Sequence, residues 1–407
     1  MISTRAFLRQ NGRFLLPGAA LMFLSCFGQT FFIGTFAADI RAYFDLSHGD
    51  WGAIYMLGTG TSALVMLWAG TLADRIRVRL LGPMMLILLA CACFALSQFT
   101  WVWALPLVIL ALRFTAQGML PHISAVAMAR WFSASRGRAL AFATMGFMLA
   151  EAIMPVTVVW LKARVEWQMI WITAACFCLI MAPVIFVLLR QEREPNSIVS
   201  ENSTFGMQGR NWTRWEAIQH PVFLSAIPAM MAFPAFATVF FFQQAYFAEI
   251  KGWSHLSLVA VFPLGTISFG ASTLIYGWLI DRFGAARLMP FYLLPLVAAF
   301  TIHAWAPSVS WVAMGVALMG MAGGGMATLP ASVWSEFFGT AHLGAIKATV
   351  AAFGVLGSAL GPGLSGWLID AGVSYESQLQ SFAVCFALAS AAMVIPFARA
   401  RRSLPTP

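Results

Sequence analysis

Crossing a bilayer takes about 20 apolar residues, rising 1.5 Å each, and runs of that kind follow one another along this chain with only short polar breaks. Windows of about 19 residues place them at 14–38, 51–73, 81–99, 102–128, 138–161, 167–189, 222–247, 256–280, 288–305, 309–334, 344–368 and 377–398. Trp51, Trp101, Trp131, Trp167, Trp253, Trp311 and Trp334 fall at the ends of runs, where an amphipathic ring prefers the headgroup layer. The pattern predicts an all-α membrane protein with twelve transmembrane helices in two six-helix halves. Residues 1–189 and 222–407 are read as the halves and the polar stretch 190–221 as the linker between them.

Composition narrows the function. Of 407 residues 60% are hydrophobic and 10% charged, with mean hydropathy +0.81, against about 25% charged in a soluble domain. A soluble enzyme is excluded, and no stretch is long enough for a large soluble domain. The run after Arg13 exceeds the h-region of a signal peptide, so the mature chain is expected to start near Met1. All six cysteines lie in apolar runs without a CxxC pair, so no disulfide, metal or cofactor is expected. No nucleotide-binding P-loop occurs, which leaves an ion or solute gradient as the energy source.

The net charge of +9 is explained by topology rather than by nucleic acid. With both termini cytoplasmic, nineteen of the 24 basic residues fall on the inner side, four (Arg41, Lys162, Arg164 and Lys251) fall outside, and Arg113 lies within a span. That asymmetry sets the orientation and puts the linker in the cytoplasm. Within the linker, Thr213-Arg-Trp-Glu216 reads as a capping box opening a short interfacial helix.

Two loops repeat. Gly70-Thr-Leu-Ala-Asp74-Arg75 follows the second run, and Gly277-Trp-Leu-Ile-Asp281-Arg282 follows the eighth, 207 residues later. Related halves with a site between them are the architecture of secondary transporters.

The loop from Gly70 to Arg79 resembles the best-known motif of the major facilitator superfamily, and the second loop is its weaker echo. Arg130-Trp-Phe-Ser-Ala-Ser-Arg136-Gly-Arg-Ala139 is similar to the loop entering span five of monocarboxylate transporters and their bacterial oxalate/formate relatives. Ser365-Gly-Trp-Leu-Ile-Asp370, after Gly361-Pro362, is similar to the end of their span eleven. The resemblance implies a multi-pass protein of a bacterial inner membrane that moves a small organic anion, a monocarboxylate, with a proton by alternating access. Its partners are that solute, the proton and membrane lipid, with no obligatory protein partner. The resemblance also implies gating by Asp74, Arg75 and Arg130 and by Asp281 and Arg282, Asp74 meeting the N-terminus of span eleven and Arg130. One departure is plain: those relatives carry an arginine in span eight, and here span eight has no basic residue. That departure, with the many Phe and Met residues, favours a second reading in the same fold, an exporter of amphipathic compounds driven by the proton gradient.

Ionisable residues within a span cost roughly 2.5–3.5 kcal/mol on insertion scales and mark function by default. Two stand out. Arg113 lies about 16 Å from the outer face, and Glu151 about 20 Å from the inner face. In a core of about 30 Å their levels differ by about 6 Å, close enough to pair. Arg113 is read as the receptor of a substrate carboxylate and Glu151 as the proton-coupling acid, with a permanent buried salt bridge as the competing reading. Gln117, four residues on, extends the Arg113 face. Gln243 and Tyr246 on span seven, with Gln29 on span one, are read as further lining of the binding pocket. His122 and His303 are read as packed histidines.

Overall fold

The computed structural model describes residues 4–132, 135–190 and 205–404, without the side chains of residues 4–10 and Asp74. The fold is all-α. Among the described residues eleven helices are long and apolar enough to cross a membrane, and a bent pair, Asn11–Gly28 and Thr30–Phe44 meeting at 44°, brings the number to twelve if it is one span. We label that pair α1. The others are α2 (His48–Ala69), α3 (Val78–Gln98), α4 (Val102–Trp131), α5 (Arg136–Lys162), α6 (Trp167–Leu188), α7 (Pro221–Phe242), α8 (His255–Phe283), α9 (Ala285–Trp305), α10 (Val309–Phe338), α11 (Leu343–Asp370) and α12 (Tyr375–Ser403).

Packing divides the chain into two units: Met1–Val199 with Phe241–Tyr246, and Ser200–Phe240 with Phe247–Pro407. The short segment Phe241–Tyr246 thus groups with the N-terminal unit. In that unit α3 lies along α6, α1 along α5, and α2 along α4. Its centre is filled by residues such as Leu86, Leu89, Ile109, Leu112 and Trp171, all fully buried. Leu57, Leu64, Leu67 and Trp68 of α2 are exposed, the inverse of a soluble helix, because lipid solvates apolar side chains as well as a core does.

In the C-terminal unit the most intimate pair is α8 with α10. A Cβ on Gly320 would stand 2.0 Å from the carbonyl oxygen of Gly265, so only glycine permits this approach. The capping box expected in the linker forms: the Thr213 N–H donates to Glu216 Oε2 at 2.8 Å, and the Glu216 N–H to Thr213 Oγ1 at 3.4 Å. Hydrogen bonds from the Thr213 backbone, the Thr213 hydroxyl and Arg210 hold the Glu216 carboxyl down at about 2. The six-residue helix Arg214–Gln219 that it opens is tied back by the Trp212 N–H, which donates to Phe338 O at 3.0 Å. Linker residues 191–204 lie outside the described residues.

Candidate functional site

Arg113 sits where α4 changes its winding. The helix is α over Leu105–Leu112, π over Arg113–Met119, and α again from Leu120. Pro121 has no N–H to give the Gln117 carbonyl four residues back, a local reason for the register to slip there, and π segments recur at functional sites. Gln117, half-buried, lies within the same π segment.

α1 breaks at the same place. Its first segment ends in a tight turn over Ser25–Gly28, and Gln29 is extended (φ −82°, ψ 151°) before the helix resumes at Thr30. The break leaves the Gly28 carbonyl without a helical partner, and Arg113 takes it: Nη1 donates to Gly28 O at 2.9 Å and to Thr30 Oγ1 at 3.2 Å. Thr30 Oγ1 also lies 2.6 Å from the Tyr55 hydroxyl. The Tyr55 ring centroid is 5.2 Å from Arg113 Cζ, within range of a cation–π attraction. Arg113 is completely buried. Its Nε and Nη2 have no hydrogen-bond partner among the described residues, and these two atoms present the parallel N–H pair that fits a carboxylate.

Glu151 is half-buried on α5 and is not among the partners of the guanidinium. The expected Arg113–Glu151 pair does not form in this conformation, because the broken helix supplies a carbonyl and a hydroxyl nearer to hand. The hydrogen bonds of Arg113 also reach none of Gln29, Gln117, Gln243 and Tyr246. Gln29 is half-buried at the α1 break. Gln243 is 3% exposed with its Nε2 unpartnered. Tyr246 packs edge-on to His48 at 4.4 Å. The better-anchored amide is Gln244, whose Nε2 donates to Phe31 O at 3.0 Å and Phe241 O at 2.8 Å. Phe242 stacks on Trp51 (5.7 Å, 16°) and tilts against Tyr55 (4.7 Å), giving the Arg113 neighbourhood an aromatic wall. Gly28, Thr30 and Tyr55 escape a reading of the sequence; the signal for them is polar or helix-breaking residues inside α1 and α2, which are common enough in spans to be passed over.

The repeated loops are held differently. Arg130 Nη1 donates to Ala73 O at 3.0 Å, and His122 Nε2 lies 3.1 Å from Gly70 O. His122 therefore ties α4 to the first loop rather than serving as packing alone. Arg75 is exposed, and the Asp74 side chain lies outside the described residues. At the second loop Asp281 is exposed, and Arg282 lies over the rings of Trp278 and Phe283 at 5.4 and 5.5 Å. Just beyond, Glu336 of α10 accepts the N–H groups of Ala285 and Ala286 at 3.1 and 3.2 Å. A cation holds the first loop through a carbonyl, and an anion holds the start of α9 through amides.

Among the described residues no group of His, Cys, Asp and Glu is arranged to hold a metal ion. The sequence matches the profile described as Major Facilitator Superfamily over residues 18–274 and 264–407. No curated protein matches it significantly. Among solved structures, the chain resembles a point mutant of the nucleoside transporter NupG at 13% identity, with TM-score 0.68, covering 96% of this chain and 100% of that one. It resembles a bacterial homolog of the human lysosomal transporter Spinster, in an inward-facing, unoccupied conformation, at 16% identity and TM-score 0.64, covering 98% and 99%. It also resembles the human organic anion transporter MFSD10, at 16% identity and TM-score 0.62, covering 96% and 99%.

Proposed function

This chain belongs to the major facilitator superfamily and is a secondary transporter, and on that premise we propose that it carries a small organic anion, a monocarboxylate, together with a proton. The observation that carries the reading is the unpartnered Nε–Nη2 edge of a fully buried guanidinium. A permanent charge in a span is costly without a counter-charge, and a carboxylate is the ligand that satisfies two parallel donors at once. Thr30, Tyr55 and the Gly28 carbonyl hold the other side of the guanidinium in place. That leaves it preorganised for the incoming anion.

Glu151 is the proposed proton carrier. Anion binding at Arg113 withdraws positive potential from that region of the bundle and so favours protonation of a nearby acid, which couples the two movements. Gln29, Gln117, Gln243 and Tyr246 are proposed to complete the pocket. Asp74, Arg75, Arg130, Asp281 and Arg282 are proposed to gate access on the cytoplasmic side of a bacterial inner membrane.

Uptake of a panel of labelled carboxylates into proteoliposomes, with and without an imposed pH gradient, tests the proposal. A monocarboxylate is expected to accumulate when the gradient is present and only to equilibrate when it is absent. If no carboxylate moves, the anion reading is wrong. The wall of Trp51, Tyr55 and Phe242 supports the second reading, export of amphipathic compounds, and gradient-driven movement of an aromatic cationic dye in the same vesicles would favour it.

A further inference from the structure

The end of the linker docks on the C-terminal unit, with which it is grouped. A Cβ on Gly206 would stand 2.4 Å from Phe337 O, so the backbone there runs directly against the end of α10. Trp212 is buried, and it donates its backbone N–H to Phe338 O at 3.0 Å and its ring N–H to Met207 O at 3.3 Å. The Ala341 N–H donates to Asn211 Oδ1 at 3.3 Å, which ties in the turn after α10. His220 joins these contacts to α7. Its ring stands edge-on to Trp212 (5.1 Å, 76°) and to Phe338 (5.9 Å, 82°).

His220 is also the N-cap of α7. Its backbone is extended (φ −75°, ψ 138°), and its carbonyl accepts the N–H groups of Phe223 and Leu224. Pro221 has no N–H to satisfy, so the first donor in need of a partner is Val222, which donates to His220 Nδ1 at 3.3 Å. Such caps are ordinarily Ser, Thr, Asp or Asn; a histidine cap titrates near neutrality. The bond needs the lone pair of Nδ1, hence a neutral ring. Protonation turns Nδ1 into a donor facing a donor and sets a charge at the positive end of the α7 dipole. The acids of the surrounding elements are engaged elsewhere: Glu216 by Arg210 and Thr213, and Glu336 of α10 by the N–H groups of Ala285 and Ala286. Arg210 already lies over the Trp212 ring at 4.0 Å. Arg214 on the linker and His342 and Lys347 at the start of α11 add basic groups, α7 has no charged residue, and Asp370 is at the far end of α11. Burial holds the imidazole below its ordinary 6.5. We propose that His220 is an acid-released latch: neutral, it caps α7 and holds residues 205–220 against α10, and protonated, when the linker's side of the membrane turns acid, it lets that segment go. Once free, the segment adds its length to the chain joining the halves.

Hydrogen exchange of the full chain in detergent, corrected for the intrinsic effect of pH, reads the docking at the amides of Trp212 and Val222. It needs no solute, so its outcome is separate from that of the carboxylate reading. A histidine held lower when docked than when free supports docking in full above about 6.5 and withdraws that support as the pH falls. Protection of the two amides is therefore expected to drop about three- to tenfold from about pH 7.5 to about pH 5.5. Glu216, held at about 2, stays ionised throughout. His220→Asn caps without titrating and is expected to stay protected at both pH values, whereas His220→Ala is expected to lack protection at both. His342→Asn is expected to respond as the wild type does. Wild-type protection that ignores pH overturns the proposal, and that comparison requires no variant to fold. A His220→Asn protein that loses protection in acid, a His220→Ala protein protected like the wild type, or a response abolished by His342→Asn overturns it as well, because each places the titrating group or the cap elsewhere.

Discussion

Arg113 in the N-terminal unit and His303 in the C-terminal unit are both fully buried, and both have ring or guanidinium nitrogens without a hydrogen-bond partner of ordinary geometry among the described residues. Their surroundings differ. His303 stacks on Phe240 (4.5 Å, 14°), with Phe300 and Phe247 around it, and Gly315 makes room, since a Cβ there would stand 2.2 Å from His303 Nε2. Arg113 faces a carbonyl, two hydroxyl-bearing residues and one aromatic ring. An imidazole has a neutral form that packs as an aromatic, whereas a guanidinium has none. The same degree of burial is therefore ordinary packing for the histidine and an unmet charge for the arginine. Burial alone does not mark a site; burial of a group that cannot discharge does.

The comparison is broken or sharpened first at Arg113 itself. Arg113→Met is expected to abolish carboxylate uptake while leaving the melting temperature equal to or above that of the wild type, because replacing a buried, incompletely compensated charge with an apolar chain of similar length removes a cost. A clear fall in melting temperature would mean that Arg113 is a structural strut. Arg113→Lys keeps the charge and loses the planar fork, and should weaken carboxylate binding about tenfold to a hundredfold.

Glu151→Gln is expected to keep solute exchange across the membrane and to lose accumulation driven by a pH gradient. A double replacement of Arg113 and Glu151 by apolar residues that still transports with proton coupling would end the mechanism and leave the fold untouched.

A smaller effect is expected at Thr30. Thr30→Val removes the hydroxyl shared by Arg113 Nη1 and Tyr55 but keeps the Gly28 contact, and should raise the apparent Kd by about three- to tenfold, the worth of one hydrogen bond near 1 kcal/mol. Titration of binding at fixed pH reads this directly.

The smallest effect belongs to the other side of the comparison. His303→Leu is expected to change unfolding stability by less than about 1.5 kcal/mol and to leave uptake kinetics unchanged. Loss of transport in a folded His303→Leu protein would place the histidine in the machinery and dissolve the distinction drawn between the two residues.

Much of the architecture was legible in the chain as written. Hydropathy is summed over consecutive residues, so spans of bilayer length, the repeated loops and the Thr213–Glu216 cap can be read locally, as can the presence of Arg113 inside a span. What Arg113 touches could not be. Lipid-facing and interior faces of these helices are equally apolar, so no periodic signal says which way a span is turned about its axis. Gly28 and Thr30 lie more than 80 residues from Arg113 in sequence. They reach it because α1 breaks at Gln29 and α4 slips into a π turn, and the two irregularities meet at one depth. Pairing by level alone made Glu151 the natural partner, but the folded bundle gave the guanidinium a freed carbonyl and a hydroxyl instead. The positions of charge along the membrane normal were set by the sequence itself, whereas their azimuth and contacts were decided only when the helices packed.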